Sequence, residues 1–236
     1  MHIQYFGLSS FKLTTKDAVV ITDPLGKLSG LTPPRGNADI LILAEKNNPL
    51  YSGVSGFSGS PFVASDPGEY DVKGVTITGI PLKQDETYIT VFLIESEDIK
   101  ILNLSHIKDF NLKQEDLEAL GDIDILILPV GGNSVLDAAT AAKVGNQIEP
   151  AMIIPSHYQI PGLDTPADKL EKFIKEMGVK MEEMDKIIVK KKDLDPENTK
   201  VVVLSPMRGE KTTIPGVNRD LNTIPKIPNQ IRYELT

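Results

Sequence analysis

The 236-residue chain contains no cysteine. Disulfides and thiolate metal sites are therefore excluded, and the composition fits a protein of the reducing cytoplasm. Histidine is scarce: with 3 in the whole chain, a site assembled from several imidazoles is hard to build. No apolar run approaches the roughly 20 residues that a membrane-spanning helix needs. The first residues, MHIQYFGLSS, lack a basic segment followed by an apolar one, so no signal peptide is predicted. An excess of positive charge is missing too. Lys+Arg 25 against Asp+Glu 33 leaves a net charge of -8, which argues against a nucleic-acid phosphate backbone as the main partner. What remains is ordinary globular composition, 40% hydrophobic and 25% charged, in a length that suits one large domain or two intimately packed halves.

The most informative stretch is residues 38–49, ADILILAEKNNP. Ile40, Leu41, Ile42 and Leu43 read as a buried strand, which stops in a polar loop of Glu45, Lys46, Asn47, Asn48 and Pro49. Strand ends of this kind often carry the chemistry of α/β proteins. Ahead of it, residues 3–6, 11–15 and 18–21 read as three short strands. Gly7-Leu8-Ser9-Ser10 turns between the first two, and Thr22-Asp23-Pro24 closes the third, since proline cannot continue a sheet. Residues 25–37 are rich in Gly, Pro and Ser, and residues 51–60 space Gly53, Gly56 and Gly59 among serines. The second segment suggests a phosphate cradle but lacks the Lys-Ser/Thr ending of a P-loop. Both are expected as loops, the second a flexible one.

Strands are expected over residues 62–64 and 75–80, the second entered from the Pro67-Gly68-Glu69-Tyr70 turn, with Gln84 in the loop that follows. Residues 87–95 and 99–104 form a predicted hairpin that leads into LNLSHIKD, which carries His106 and Asp109. Asn111 is a candidate cap for a helix over residues 112–120. A buried strand over residues 124–128 ends in PVGGN, and an alanine-rich helix is expected over 137–147. The strand 151–154 runs into Pro155-Ser156-His157-Tyr158, so His157 directly follows an apolar strand. A helix over 166–177 shows Leu170, Phe173, Ile174 and Met177 on one face. Strands over 184–191 and 200–204 close a domain set at residues 1–205. Pro206, Pro215, Pro225 and Pro228 punctuate residues 206–236, which are expected as an extended or disordered tail.

Taken together, the opening strands with Asp23-Pro24, the string PGEYDVKGV, the PVGG turn and IPSHY resemble the metallo-β-lactamase superfamily, and within it the lactonase-like (UlaG-like) branch, over about residues 1–204. The resemblance implies an α/β fold (α+β by some schemes): a four-layer αββα sandwich with mixed sheets. It also implies hydrolysis of a small ester, lactone, amide or phosphoester by a water activated on one or two Zn²⁺ or Mn²⁺ ions.

Residue by residue, the metal motif His-x-His-x-Asp-His of that superfamily falls on Ala44-x-Lys46-x-Asn48-Pro49. A later histidine ligand falls on Gln84, the metal-binding aspartate on His106, and another histidine on Asp109. His157 alone keeps both residue type and place. Asp23 matches a group that orients the motif. Lys46 brings an ammonium where a cation's ligand belongs, a repulsion of several kcal/mol at ~4 Å; the expectation is that it fills the cation's place and neutralises Asp23 or Asp109. Zinc needs about three protein ligands, so the standard dinuclear centre is not expected to form, and no cofactor is expected in that geometry.

Three functions compete. The first is a non-catalytic binding or regulatory member of the family, which takes a small ligand or a protein partner in the old cleft. The second is an active hydrolase of a small ester, lactone or phosphoester, with a rebuilt mononuclear Zn or Mn site at His106, Asp109 and His157. The third is a metal-free hydrolase with His157 as base. None involves nucleic acid or a membrane, and the oligomeric state is left open.

Overall fold

Short alternating segments build most of the molecule, and where alternation gives way to solid apolar runs the strands are covered on both faces. The structure, a computed structural model, describes residues 1–207, without the side chain of Gln114. Its strands are β1 His2–Gly7, β2 Ser10–Thr14, β3 Val19–Thr22, β4 Gly36–Asn37, β5 Ile40–Ile42, β6 Phe57–Ser58, β7 Phe62–Ala64 and β8 Gly68–Val72. They continue with β9 Val75–Gln84, β10 Thr87–Ser96, β11 Ile99–Asn103, β12 Ile125–Pro129, β13 Met152–Ser156, β14 Met181–Met184, β15 Ile187–Ile188 and β16 Lys200–Leu204. The α-helices are α1 Gln114–Leu120, α2 Ala138–Ile148 and α3 Leu170–Met177.

One mixed sheet has the order β15-β1-β2-β3-β5-β7 and the other β14-β16-β13-β12-β11-β10-β9-β8, with β4 and β6 paired apart. Inside them, β3, β5 and β7 run parallel, as do β11, β12, β13 and β16. A single core joins the two inner faces: Ile3, Tyr5, Val20, Ile40 and Ile42 from the first sheet meet Ile77, Val91 and Ile101 from the second. Each such side chain, fully buried, contributes about 1.5–3 kcal/mol. Ile21 and Leu41 point the opposite way, under Val54 and Phe57, as a period of two requires. The outer cover of the first sheet is thus made by the 3-10 helix Gly53–Gly56 and the β4–β6 ribbon. On the second sheet, Ile125, Leu126, Ile127 and Leu128 are all buried. The small residues Ala141 and Ala142 of α2, and Phe173 of α3, complete the cover over it. The layered mixed fold implied by the resemblance is the one observed.

Several boundaries move. Strand β9 does not stop at residue 80 but runs to Gln84 and turns tightly into β10. Pro81 is tolerated there because β8 pairs with β9 only as far as Gly79, so the missing N–H falls on an open edge. Helix α1 begins at Gln114, since the Asp116 carboxylate accepts from Lys113 N at 2.9 Å while Asn111 donates to Lys83 O. Helix α3 begins at Leu170, because the Asp168 backbone is already bonded to Gly131 O and Gln159 N. The strand expected over 184–191 divides. Its second part, β15, leaves β14 and pairs with β1, which buries Val189 in the common core. Residues 51–60 are not a flexible loop but 3-10 turns and a short strand. The expectation of a tail over residues 206–236 lies, past residue 207, outside the described residues.

Candidate functional site

Parallel strands deliver their carboxyl ends to one edge of the sandwich, and the residues singled out from the sequence stand there. Asp23 follows β3, residues 44–51 follow β5, Ser105 and His106 follow β11, and His157 follows β13. Three of these leave their strands in the left-handed region: Asp23 at φ 39, Ser105 at φ 53 and His157 at φ 57. Each such non-glycine turn costs of order 1–3 kcal/mol, and such turns cluster at functional sites. Beside His157, the PVGG turn brings Gly131 so close that a Cβ there would overlap the His157 carbonyl oxygen, so this position admits only glycine.

A continuous polar chain links the two sheets. Asp23, 1% exposed, accepts from Ala44 N at 2.9 Å and is hydrogen-bonded through Oδ2 to the Ser105 hydroxyl. Ser105 Oγ also lies 2.8 Å from His106 Nδ1, and His106 Nε2 lies 3.4 Å from Glu45 Oε2. When Asp23 is ionised, Ser105 donates to it and accepts from Nδ1–H; Nε2 then bonds Glu45 only in the imidazolium form. The loop that carries Glu45 is shaped by its own sequence. Asn48 caps the 3-10 helix Pro49–Tyr51 by accepting from Leu50 N, with proline in the first turn, and donates to Glu45 at 2.9 Å. That turn lays the Tyr51 ring on His106, with centroids 4.7 Å apart. The Tyr51 hydroxyl is held by Ser9.

The charges separate by environment. Burial pushes the Asp23 carboxyl up, against the opposing pull of the His106 charge, the Ser105 hydroxyl and the Ala44 N–H. Glu45, nearer solvent, is held below the usual range by its hydrogen bond to His106, with Asn48 and Lys108 adding to it. His157 is pushed down to about 3, by burial first and by the nearby His106 charge second. It is 2% exposed, and its Nδ1 has no partner among the described residues.

Other expected site residues stand elsewhere. Lys46 does not reach Asp23 or Asp109. Its ammonium binds both oxygens of Asp66, at 2.7 and 2.9 Å, on the surface, because a long, strongly hydrated side chain takes the exposed carboxylate in reach. Asp109 is exposed, its backbone tied to Gln84, so it does not join the two histidines. Gln84 itself is a clamp: Oε1 accepts from Lys108 N at 2.7 Å and Asp109 N at 3.0 Å, while Nε2 donates to Lys83 O and Asp109 O. Sequence reasoning missed Glu45, Ser105 and Tyr51. The first lies at an unconstrained position of the motif, and the only signal for the others was proximity in sequence to Asn48-Pro49 and His106.

The donor set around Asp23 and His106 is already committed to internal hydrogen bonds. The Asp23 oxygens are taken by Ala44 and Ser105, the His106 nitrogens by Ser105 and Glu45, and Ala44, Lys46 and Pro49 offer no suitable side-chain donor. Among the described residues no three His, Cys, Asp or Glu side chains gather closely enough to hold a metal ion. The described residues do not fit a dinuclear centre.

Two mixed sheets with a polar site at their parallel strand ends define a β-lactamase-type sandwich. Residues 2–157 match the family model described as the beta-lactamase superfamily domain, and the chain belongs to that superfamily. It is 25% identical over 215 residues to a UPF0173 metal-dependent hydrolase of Salinibacter ruber, an alignment that covers 75% of this chain and 94% of the relative. A crystal structure from Thermotoga maritima, of a proposed Zn-dependent hydrolase of the metallo-β-lactamase superfamily, superposes with TM-score 0.73 at 28% identity, covering 86% of this chain and 97% of that one. The metallo hydrolase Igni18 of Ignicoccus hospitalis shares the fold, with TM-score 0.59 at 16% identity, over 87% of this chain and 95% of that one.

Proposed function

We propose that this chain is a non-catalytic binding or regulatory member of the superfamily, in which a hydrogen-bonded imidazole occupies the ground that metal ions hold in the hydrolases. The observation that carries this reading is the closed chain Asp23–Ser105–His106–Glu45. Its carboxylates and imidazole satisfy one another, and a metal would have to break those bonds before gaining ligands. A small ligand or a protein partner then binds at this edge of the sandwich.

The names of the relatives favour a second reading, a metal-dependent hydrolase, and the unpartnered Nδ1 of His157 gives that reading a residue. His157 as a metal-free general base has little support: an imidazole pushed down to about 3 is too weak a base near neutrality. The test is a screen of aryl esters, lactones and phosphodiesters with added Zn²⁺ or Mn²⁺, with His157→Ala as control. The non-catalytic reading expects turnover indistinguishable from the control. Turnover that needs metal and is lost in His157→Ala establishes the hydrolase instead.

A further inference from the structure

The loop after Asp23 and the 3-10 helix Gly53–Gly56 enclose a cleft of about 270 Å³. Lys27, Arg35, Ser52 and Ser55 line it, and no carboxylate does. In a chain with a net charge of -8 that is unusual company. The larger cleft beside Tyr158, by contrast, sets Glu171 and Glu183 against Lys169. Nor are the two cations engaged elsewhere: neither the Lys27 nor the Arg35 side chain has a hydrogen bond or ion pair among the described residues, and the same holds for Ser55 Oγ.

The walls are preset. Gly26 N donates to Leu50 O at 2.7 Å and Gly53 N to Pro24 O at 3.0 Å. A Cβ on Gly26 would overlap Ser52 Oγ, and one on Gly53 would overlap Leu25 O. Pro33 and Pro34 restrict the backbone that presents Arg35. A cleft that is already formed saves the ordering that a flexible loop would need on binding.

We infer that this cleft binds a small organic phosphate monoester. Two uncompensated cations match a dianion, whereas a carboxylate would leave one of them unpaired. A guanidinium presents donors in the planar fork suited to phosphate oxygens, and an ammonium adds a point charge. The Ser55 hydroxyl supplies a further donor, whereas Ser52 Oγ already donates to Pro49 O at 3.1 Å. The exposed Leu28, with Pro33, gives the rest of a short ligand an apolar wall. The volume suits a metabolite of a few carbons and no macromolecule. The inference stands apart from the polar chain on His106 and does not depend on whether metal binds there.

The test is titration of the protein, with EDTA present throughout, with glycerol phosphate and with inorganic phosphate, followed through the backbone amide resonances of Ser52, Gly53, Ser55 and Gly56. Saturating shifts are expected at these amides, with glycerol phosphate bound more tightly than inorganic phosphate. Arg35→Gln is expected to weaken binding about tenfold or more and Lys27→Gln somewhat less. Lys175→Gln, which removes the same charge from the exposed face of α3, is expected to leave binding unchanged. Shifts that persist in the Arg35→Gln/Lys27→Gln double variant, equal losses in Lys175→Gln, or equal affinity for the two phosphates would each overturn the assignment. So would the absence of saturable shifts.

Discussion

His106 and His157 stand at the same edge of the same sheet, after β11 and β13, and live by opposite rules. Both nitrogens of His106 have partners, its ring is stacked on Tyr51, and its neighbours are carboxylates. His157 is more deeply buried, has no partner for Nδ1 among the described residues, and is pushed down to about 3. One imidazole is built into a network and the other is kept neutral and apart. An orphaned buried polar atom costs about 1–3 kcal/mol, so the strand end at His157 carries a polar atom that the described residues do not satisfy. The strand end at His106 is the satisfied one. That contrast is the physical content of the proposed loss of the metal pair.

The comparison breaks most visibly at Asp23. Asp23→Ala leaves Ala44 N–H and Ser105 without their buried acceptor, and is expected to destabilise the fold by about 3 kcal/mol in urea unfolding. A loss well under 1 kcal/mol would mean that the network on the His106 side is ornamental.

His157 sharpens the other side through pH. Its folded-state value lies below its free value of 6.5, so on acidification the unfolded chain takes up a proton first. The stability it contributes is therefore complete above pH 6.5 and is lost as pH falls towards 3, by up to about 1.4 kcal/mol per pH unit. Asp23 acts in the opposite sense, because its raised carboxyl is protonated in the folded chain before the unfolded one. His157→Asn, a residue that tolerates left-handed backbone, should flatten the falling limb. An unchanged profile of unfolding midpoint against pH would contradict the burial argument.

Two smaller effects follow. Gln84→Ala strips two amides of their acceptor and is expected to cost about 2 kcal/mol, with faster hydrogen exchange at Lys108 and Asp109. Lys46→Gln breaks an ion pair whose side chains are 53% and 63% exposed, and should change stability by less than about 0.5 kcal/mol. A larger loss would return Lys46 to the site.

Much of the scaffold was legible in the sequence because burial on one face or two leaves a periodic trace: β1 to β3, the apolar runs of β5 and β12, and the packed stripe of α3. The Asp23 and His157 positions were legible because each ends a strand. Side-chain direction was not. Register places a Cα but not an ammonium on four rotatable bonds, so Lys46 was assigned to a charge it does not reach. Glu45 drew no attention because its importance comes from a partner on the other sheet, 61 residues away in the chain. The hairpin through Pro81 was hidden for a related reason: a proline is acceptable only where the neighbouring strand has already ended, and that is a fact of pairing rather than of local sequence.

The most direct measurement is the metal content of the purified protein after incubation with Zn²⁺ or Mn²⁺ and removal of the excess, with His157→Ala measured beside it. Far less than one ion per chain is expected, the same in both proteins. Near-stoichiometric metal that vanishes in His157→Ala would contradict it, and would mean that the Asp23–Ser105–His106–Glu45 chain opens to make a site.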